Sequence, residues 1–575
     1  TALTACALLA TPAHAVDWAG TVGDWFDPAN WSSGVPTVGD QANINNGGTA
    51  QIGANAAASS VWIGQFAGQG GAVDVTGPDV VLTAPGGVFI GFSGSGSLDI
   101  SGGGVVNSGS TTIGLTATSS GSVTVDGGGS ALYSAGFTVG NDGDGTLDIT
   151  NGGNVFSTSS AIGFGSTGSG AVTIDGEGAF WGNLYTLYVG YGGEAKLDIS
   201  NGGAMSSQAA FVGYQFGSLS EVTVDGEASR WTVDWNLEVG YGGEGRLNIA
   251  NGGAVSNSNG TVGSNAGSVG AVTVDGEGST WTNSGNLTIG NYGEGALDIT
   301  GGGTVSSNAG HIGNLATGTG TVTVDGDGST WTNGGALYVG HLGQGTLDIT
   351  NGGVVSSESI YAGLSSGSSG TISVDGVGSS LTASSGALVL GYEGEGSLTV
   401  SSGASVEFVM IYLGLYDGSV GTLNIGAAMG EAAVAAGSLY ASQIAFGNGS
   451  GTLVFNHTDQ NYEMNAAITG TGNIRQVGSG TTTITRNNAA FSGTTSVDDG
   501  ALIVNGTLRG SMNVGAARLG GSGTISNVSL GNGSVIAPGS SAGSVGTLTV
   551  TGDLTFNAGS IYEVEVNPVS AANDL

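Results

Sequence analysis

Basic side chains are scarce in this sequence. The 575 residues include 7 Lys and Arg against 43 Asp and Glu, which gives a net charge of −36. Nucleic-acid binding requires clustered Lys and Arg that displace counterions from phosphates, and only Lys196, Arg230 and Arg246 lie within the repeats. We therefore exclude nucleic acid as a partner. Long-range repulsion also disfavours anionic membranes and anionic polymers, and the acidity fits a soluble extracellular surface.

Cysteine is nearly absent, and the single one, Cys6, lies in the segment TALTACALLATPAHA. This apolar segment ends in Ala13-His14-Ala15, the small-x-small pattern of a signal-peptidase site, so residues 1–15 are predicted to be part of a signal peptide. A lipoprotein signal at Leu3-Thr4-Ala5-Cys6 is the alternative. Removal of Cys6 would exclude disulfides and thiol chemistry. Because no 18-residue apolar run follows, we expect an exported chain without a membrane-spanning helix.

Charged residues of either sign make up only 9% of the chain, whereas 117 residues are glycine. Disordered low-complexity segments share this composition, but here hydrophobic residues make up 39% and recur regularly. The recurrence is marked by an aliphatic residue followed by glycine, at steps that alternate between about 23 and about 27 residues. Each 50-residue repeat therefore consists of two half-units. The marking glycines are Gly64, Gly91, Gly114, Gly140, Gly163, Gly190, Gly213, Gly240, Gly263, Gly290, Gly313, Gly340, Gly363, Gly391 and Gly414.

Each half-unit contains three short β-branched runs separated by turn residues, for example Leu287-Thr288-Ile289, Leu297-Asp298-Ile299 and Thr304-Val305. Three such strands form one turn of a coil, and stacked turns place equivalent strands in parallel, about 4.8 Å apart. The predicted fold class is all-β, a right-handed parallel β-helix with three-strand rungs and two rungs per repeat. The fifteen glycine marks predict about 15 rungs before the two ends are added.

Alternation within the strands predicts which side chains face the core. Leu297 and Ile299 are expected to point inward and Asp298 outward. Along the outer face, Asp and Thr are expected to alternate from rung to rung, so that like charges lie about two rungs apart, near the screening length at physiological salt. One such row is Asp148, Thr173, Asp198 and Thr223.

A tryptophan follows an aspartate by six residues in alternate half-units, at Trp181, Trp231, Trp281 and Trp331. At the flanks the same position holds Leu132 and Leu381. Leucine in this position favours packing of the tryptophans in the core. An exposed row that stacks against sugar rings is the alternative interpretation.

The sequence predicts five segments. Residues 1–15 are the partial signal peptide, and residues 16–60, which contain Trp18, Trp25 and Trp31, are predicted to cap the first strand ladder. Residues 61–425 are the β-helix repeat region. Residues 426–465 are an irregular insert followed by continuing rungs, because the Ala-rich run at 426–442 interrupts the pattern, as a loop or short helix. Residues 466–575 form a further strand repeat and a stem.

Signatures of an enzyme are scarce, and no catalytic or cofactor-binding residue and no cofactor is predicted. Gly539-Ser540-Ser541-Ala542-Gly543 matches a nucleophile elbow only in spelling, because the strand–turn–helix context is missing. The histidines outside the signal are His311, His341 and His457, none near Ser541 in sequence. A polysaccharide-active β-helix enzyme, lyase or hydrolase, is the alternative, although the carboxylates recur evenly instead of clustering.

Acidic turns recur along the repeats and raise the question of metal binding. Two oxygen ligands per turn are too few for calcium, which takes six to eight. We therefore interpret these side chains as solvated turn residues and predict no metal site, with weak calcium binding as the alternative. The turns are Asp175–Glu177, Asp275–Glu277 and Asp325–Asp327.

The repeats resemble a known family. The blocks LTIGNYGEGALDITNGGAVSS and AVTVDGEGSTWTNSGNL resemble the repeat of bacterial autotransporter (type V secretion) passengers and of some exosortase-sorted (PEP-CTERM) surface proteins, over about Val61 to Ile425. GTGNIRQVGSGTTTITRNNAAFSGTTSVDDGALIVNG is similar to the autotransporter-associated β-strand repeat, and APGSSAGSVGTLTVTGDLTFNAGSIYEVEVN to the stem before a translocator.

The resemblance implies a β-helical passenger displayed at the bacterial cell surface or outer membrane, or secreted from it. Its expected partner is an outer-membrane translocator barrel, which we expect beyond residue 575. The implied function is structural or adhesive, through multivalent contact with a surface glycan, a matrix or like cells, or through self-association. The chain itself is expected not to be an enzyme.

Overall fold

A computed structural model describes residues 14–383, 386–539, 544–567 and 572–573. The chain is all-β, with about 59% of residues in strands and about 22 turns of parallel solenoid. The predicted all-β parallel solenoid is confirmed. Within the described residues, no α-helix is found and no helix is long and apolar enough to cross a membrane. A short 3-10 helix spans Pro28–Asn30.

The chain divides into two compact units. Of the described residues, unit 1 comprises 14–273 and 278–282, and unit 2 comprises 274–277 and those from 283 onward. In the repeats of each unit, a turn contributes one strand, usually of seven residues, to a sheet named here sheet I, and one long strand or two short strands to sheet II. These short strands account for the three runs predicted in each half-unit.

The strands of unit 1 pair in parallel with the equivalent strands of the next turn. Its sheet I strands are Val22–Asp24, Asn46–Ile52, Gly70–Thr76, Ser95–Ser101, Ser120–Asp126, Asp144–Thr150, Ser169–Asp175, Glu194–Ser200, Leu219–Asp225, Glu244–Ala250 and Val269–Asp275. Its sheet II strands are His14–Asp17, Asp40–Ile44, Ala56–Ala57, Ser60–Ile63, Val81–Ala84, Val88–Ile90, Val105–Ile113, Ala131–Val139, Asn154–Ile162, Phe180–Val189, Ala204–Val212, Arg230–Val233, Asn236–Val239, Ala254–Asn257, Asn259–Val262 and Thr280–Asn283.

Unit 2 repeats this arrangement and then changes it. Its sheet I strands are Glu294–Thr300, Thr319–Asp325, Gln344–Thr350, Ser369–Asp375, Glu395–Ser401, Val420–Gly426, Ser450–Asn456, Asn473–Gln476, Asn487–Asn488, Thr494–Val497, Thr507–Val514, Thr524–Leu530, Thr549–Val550 and Leu554–Phe556. Its sheet II strands are Leu287–Ile289, Thr304–Ser307, Gly310–Ile312, Thr330–Asn333, Ala336–Val339, Val354–Ser357, Ser359–Ala362, Ser380–Ala383, Ala387–Leu390, Ser405–Leu413, Ser438–Phe446 and Ala467–Thr469.

A third sheet replaces sheet II toward the C-terminus of unit 2. Its strands are Tyr462–Met464, Thr481–Ile484, Ala501–Val504, Arg518–Gly521, Val535–Pro538 and Ile561–Tyr562. Val566–Asn567 and Ala572–Asn573 form a separate antiparallel pair. The third sheet begins within the segment predicted as insert and continuing rungs, and it extends into the segment predicted as strand repeat and stem. Those segment boundaries stay a prediction.

Inward side chains fill the core as the alternation predicts. Leu297 and Ile299 are fully buried, and so are the four tryptophans of the row at 181, 231, 281 and 331. Leu132 lies in register two turns before Trp181, with Val155 between them. The interpretation of the tryptophans as core residues is confirmed, and the exposed sugar-stacking row is wrong.

A polar ladder accompanies the tryptophans inside the coil. Trp181 Nε1 donates to Ser157 Oγ of the preceding turn at 2.9 Å, and Trp281 Nε1 donates to Asn257 Oδ1 at 2.7 Å. These acceptors are themselves buried. The ladder explains why Ser or Asn recurs two residues after the tryptophan position, because a buried indole N–H requires a partner.

The recurring aspartates of the acidic turns have a structural role. Asp325 Oδ1 accepts hydrogen bonds from Thr350 Oγ1 and Asn351 Nδ2 of the next turn, both at 2.6 Å. These bonds, first from Thr350 and then from Asn351, lower the pKa of Asp325. Asp126 is bonded in the same way by the equivalent residues of its next turn. The VDG and ITN motifs therefore recur at the spacing that places the Asp of one turn within hydrogen-bond distance of the Thr and Asn of the next turn.

The outer row of Asp and Thr alternates as predicted from Asp148 to Thr223. The alternation is wrong at the start of the repeats, where Asp74 and Asp99 lie directly in register. Burial, and then the neighbouring charge of Asp99, raise the pKa of Asp74. Repulsion between these two carboxylates lowers the stability locally, whereas from Asp148 to Thr223 each Asp lies beside Thr.

Residues 16–60 already carry solenoid strands, since His14–Asp17 pairs with Asp40–Ile44, which pairs with Ser60–Ile63. Trp31 packs edge-on against Trp18 and Trp25, with ring centroids 4.9 and 4.7 Å apart. The capping role of this segment stays a prediction. The Ala-rich run at 426–442 contains no helix and is irregular until the strand Ser438–Phe446.

Candidate functional site

One face of unit 1 departs from the regular repeat. On sheet II, strands Ala131–Val139, Asn154–Ile162 and Phe180–Val189 run continuously, where later turns have two short strands. An open groove of about 870 Å³ lies over these strands, with lining that extends from Thr83 to Asp234. We call it the aromatic groove, because the side chains of Tyr133, Phe156 and Phe180 line it.

The groove follows a row of outward positions in register along the turns. Asn107, Tyr133, Phe156, Gly182 and Ser206 occupy this row in five successive turns. In later turns the same row holds Thr and Ser, for example Thr232 and Ser256. Aromatic side chains therefore stand where the repeat otherwise has small polar ones.

The three rings form a continuous apolar surface. The rings of Tyr133 and Phe156 stack at a centroid distance of 5.0 Å and an interplanar angle of 13°. Phe180 meets Phe156 edge-on at 5.9 Å. A Cβ at Gly182 would lie 3.0 Å from Phe180 Cε1 and 3.2 Å from Phe156 Cδ1. The absence of a side chain at Gly182 thus gives room for the Phe180 ring. Tyr133 is 45% exposed.

A bulge forms part of the groove wall. The register of strand Phe180–Val189 shifts against both neighbouring strands between Asn183 and Thr186. The residues in this bulge, Leu184 and Tyr185, are 62% and 49% exposed. Bulges re-aim side chains locally, and here the bulge places Leu184 in the lining of the groove.

Polar groups lie among the apolar ones. Asn183 is 3% exposed, and its Oδ1 accepts hydrogen bonds from Ser157 Oγ at 3.0 Å and Ser160 Oγ at 2.9 Å. Its Nδ2 is buried without a partner among the described residues. A buried, unpaired donor costs free energy, so this amide is an unsatisfied donor inside the coil, beneath the strand that lines the groove.

The groove contains little charge. Asp234 is the one charged side chain in the lining, which lies wholly within the described residues. No lysine, arginine or histidine of this part of the chain contributes to the lining. The groove is therefore an apolar strip with neutral polar edges, and it lacks a basic group to pair with an anion.

A second aromatic cluster lies on unit 1, in the loops that directly follow the sheet II strands. The rings of Phe164, Tyr191, Tyr214 and Tyr241 stack in sequence at centroid distances of 4.8, 5.0 and 4.9 Å. Their spacing follows the spacing of the strands, about 4.8 Å. We call this row the tyrosine ladder.

Two further aromatic residues lie beside the tyrosine ladder, and a carboxylate continues their row. Tyr188 and Phe211 stack at 5.5 Å, and Phe211 is in register with Glu238 in the next turn. The Glu238 carboxylate accepts a hydrogen bond from Ser264 Oγ at 2.7 Å. Burial raises the pKa of Glu238 more than this bond lowers it.

The structure does not gather the histidines singled out in the sequence into a catalytic arrangement. In unit 2, the rings of His311 and His341 lie 5.5 Å apart, and burial, with a smaller effect of His341, lowers the pKa of His311 to about 4. His457 is buried, and its Nε2 lies 2.8 Å from Thr482 Oγ1. Ser541 lies outside the described residues.

The acidic turns do not assemble into metal ligands where the structure describes them. Glu177, Glu277 and Asp327 are exposed, while the aspartates at 175 and 325 accept hydrogen bonds from the next turn. Residues 14–383, 386–539 and 544–567 contain no group of three or more His, Cys, Asp or Glu side chains that would hold a metal ion.

The sequence pattern does not single out the aromatic groove, although it carries a signal. In three successive turns the pieces ALYSAG, NVFSTSS and FWGNLY replace the TWTN-type piece of later repeats. An aromatic residue at an outward position is visible when the half-units are aligned. The hydrophobic periodicity alone does not reveal this aromatic residue, because inward positions dominate that periodicity.

Comparison with known proteins gives partial matches. No family model matches the chain. The chain is 41% identical over 125 residues to "Uncharacterized lipoprotein YdeK" of Escherichia coli (strain K12), covering 20% of this chain and 9% of the lipoprotein. It is 38% identical over 111 residues to "Adhesin BmaC autotransporter" of Brucella suis biovar 1 (strain 1330), covering 18% of this chain and 3% of the adhesin. The chain thus spans less than a tenth of the length of these curated relatives.

Among solved structures, the chain matches "Crystal structure of TibC-catalyzed hyper-glycosylated TibA55-350 fragment" at 19% identity and a TM-score of 0.33, over 59% of this chain and 94% of that fragment.

Proposed function

We propose that the chain is an exported, surface-displayed passenger of an autotransporter-like protein and acts as an adhesive β-solenoid. The repeat resemblance and the partial similarity to an autotransporter adhesin support this proposal. The high acidity and the scarcity of basic residues fit display at a cell surface.

The aromatic groove is the observation that carries the adhesive role. Outside the aromatic groove and the tyrosine ladder, the outward positions of the repeats hold mostly Thr, Ser, Asn and Asp, which give a hydrated surface. Contiguous exposed apolar surface on a soluble protein marks a place of interaction. The lining of the groove combines the exposed side chains of Tyr133 and Leu184 with the half-buried rings of Phe156 and Phe180. Many displayed copies add weak contacts into firm attachment.

The enzyme alternative is a polysaccharide lyase or hydrolase acting in this groove. Glycoside hydrolysis generally uses two carboxyl groups that flank the scissile bond, and Asp234 is the one carboxylate in the groove lining of the described unit. The arrangement favours binding over cleavage. Incubation with polysaccharides and detection of new reducing ends or unsaturated products distinguishes the two, because turnover would show an enzyme.

Attachment to the cell surface has two routes in this proposal. The first is a translocator domain in the same protein, as the autotransporter resemblance implies. The second is lipidation at Cys6, for which the partial similarity to an Escherichia coli lipoprotein is the support. Metabolic labelling with a palmitate analogue separates them, since only the lipoprotein route labels the chain and a Cys6→Ser variant then loses the label.

A deletion in register tests whether adhesion depends on a local surface or on length. Removal of residues 301–350 joins Thr300 to Asn351 and restores the motif DITNGGVVSS. Because repeats of a solenoid contact mainly their neighbours, the shortened chain is expected to fold and to be displayed. If the groove carries adhesion, attachment stays close to that of the full chain. A fall in proportion to length would assign adhesion to the repeats, and no attachment by either chain would refute the adhesive role.

A further inference from the structure

We propose that the aromatic groove binds a linear, uncharged polysaccharide whose chain runs along the solenoid, across successive turns of unit 1. This inference rests on the proposed adhesive function and names the chemistry of its partner.

The shape of the groove fits a linear polymer. Its lining begins at Thr83 and ends at Asp234, so it spans seven successive turns, or six spacings between turns, and one row of outward positions runs along it. At about 4.8 Å per turn, the groove is about 29 Å long. A hexose in an extended β-linked chain is about as long as this strand spacing, so about six sugars match the groove.

The aromatic floor fits the apolar face of a sugar ring. The C–H bonds on one face of a pyranose form an apolar surface that is buried against aromatic carbons. Because Tyr133 and Phe156 stack face to face at 5.0 Å, the carbons they offer are those at the ring edges. Tyr133 and Phe156 form a stacked pair, with Phe180 edge-on beside it. The three rings therefore supply contacts in consecutive turns, which suits a polymer with a regular repeat.

The polar residues of the lining fit the hydroxyl groups of a sugar. Asn107, Thr158, Ser206 and Asp234 lie in the lining beside the aromatic rings. A few polar groups placed around an apolar surface are the arrangement that small-molecule sites use to fix orientation.

Charge selects among polymers. The chain carries −36 overall, and the groove lining offers no basic side chain to an anion. A polysaccharide of uronic acids or sulfated sugars is repelled, and a second copy of this chain meets the same repulsion. An uncharged glycan meets neither cost, which is why we favour it over an anionic polymer or self-association.

Binding of oligosaccharides to the full chain tests the proposal. Uncharged β-linked gluco-, manno- and xylo-oligosaccharides of two to eight units are titrated by calorimetry, with oligogalacturonides as the anionic comparison. We expect affinity for one uncharged series to rise with length and to level off at about six units. Oligogalacturonides are expected to bind at least tenfold more weakly.

Variants place the binding in the groove. Tyr133→Ala and Phe156→Ala are each expected to weaken binding at least tenfold, whereas Phe156→Tyr keeps the ring and most of the affinity. Tyr292→Ala is the matched control, because Tyr292 of unit 2 is 47% exposed and lies outside the groove. Thermal unfolding of each variant verifies that the fold persists.

Several results would overturn the inference. Equal binding by the Phe156→Ala variant would place the glycan elsewhere, and tighter binding of oligogalacturonides would refute the preference for uncharged sugars. Sedimentation that shows self-association lost in Phe156→Ala would assign the groove to a second copy. Absence of glycan binding with adhesion intact refutes this inference alone. Glycan binding without any adhesion by displayed cells refutes the proposed function instead.

Discussion

Replacement of Trp181 and Trp231 by phenylalanine separates the stabilisation due to a buried hydrogen bond from that due to ring packing. Both indoles are fully buried. Trp181 lies in register between Val155 and Met205, and Trp231 between Met205 and Val255, so their apolar surroundings are similar. They differ at the indole nitrogen: Trp181 Nε1 donates to Ser157, and Trp231 Nε1 has no acceptor among the described residues.

The magnitude follows from this difference. Full truncation of either tryptophan to alanine is expected to cost about 3–5 kcal/mol, and phenylalanine retains part of that packing at both positions. Trp181→Phe also loses a hydrogen bond, whereas Trp231→Phe removes a buried donor that is already unsatisfied. A buried unsatisfied group costs about 1–3 kcal/mol. Trp181→Phe should therefore be the more destabilising substitution by about 1–3 kcal/mol.

Urea unfolding followed by circular dichroism measures the two free energies of unfolding. Because a solenoid unfolds in parts, hydrogen exchange of strands Phe180–Val189 and Arg230–Val233 gives the local values as a second readout. Equal destabilisation, or a greater loss in Trp231→Phe, would show that the Ser157 hydrogen bond does not stabilise the core.

Three other perturbations test the electrostatics. Asp74→Asn should increase the free energy of unfolding at pH 7 by on the order of 0.5 kcal/mol, seen as a higher melting temperature. The raised pKa of Asp74 means that its stabilising contribution, from the protonated carboxyl, is present below its unfolded pKa and is lost as the pH rises through its folded pKa, so at pH 7 the ionised carboxylate is unfavourable. Asp148→Asn, whose neighbours in register are Thr124 and Thr173, is the control and should change little; a similar gain in both would refute repulsion from Asp99. Asp325→Ala should cost about 1 kcal/mol, through loss of the bonds from Thr350 and Asn351, and Asp327→Ala, at an exposed position, less than about 0.5 kcal/mol. The lowered pKa of Asp325 means that its contribution is present above its unfolded pKa and is lost as the pH falls through its folded pKa, so the two variants should converge in acid; a constant difference would contradict this. Millimolar calcium should raise the melting temperature little more than sodium at equal ionic strength, whereas a saturable shift specific to calcium would show sites in the acidic turns.

The core of the fold was predictable because equivalent inward positions are buried in every turn of the repeats. Leu297 and Ile299 alternate with Asp298, and the position of Trp181 holds Leu132 two turns earlier, so burial leaves a periodic record in the sequence. Parallel stacking then follows from the 23- and 27-residue steps.

The groove was not predictable in the same way, because outward positions carry no packing constraint that repeats. A Cβ at residue 182 would crowd the rings of Phe180 and Phe156, and the wall of the groove depends on the bulge at Leu184. The register of Asp74 with Asp99 also breaks the predicted alternation, because the core tolerates either residue on the outer face. The third sheet begins at Tyr462, beyond the regular repeats, so the repeat pattern could not predict it.

Attachment of cells that display the full chain is the most direct test of the claim that the aromatic groove is the adhesive surface. Cells displaying the double variant Tyr133→Ala, Phe156→Ala are compared with cells displaying the unchanged chain or Tyr292→Ala, at equal surface abundance, on surfaces coated with uncharged polysaccharide. We expect attachment of the double variant to fall at least tenfold and that of Tyr292→Ala to remain unchanged. Equal attachment by all three would contradict the assignment of adhesion to the groove.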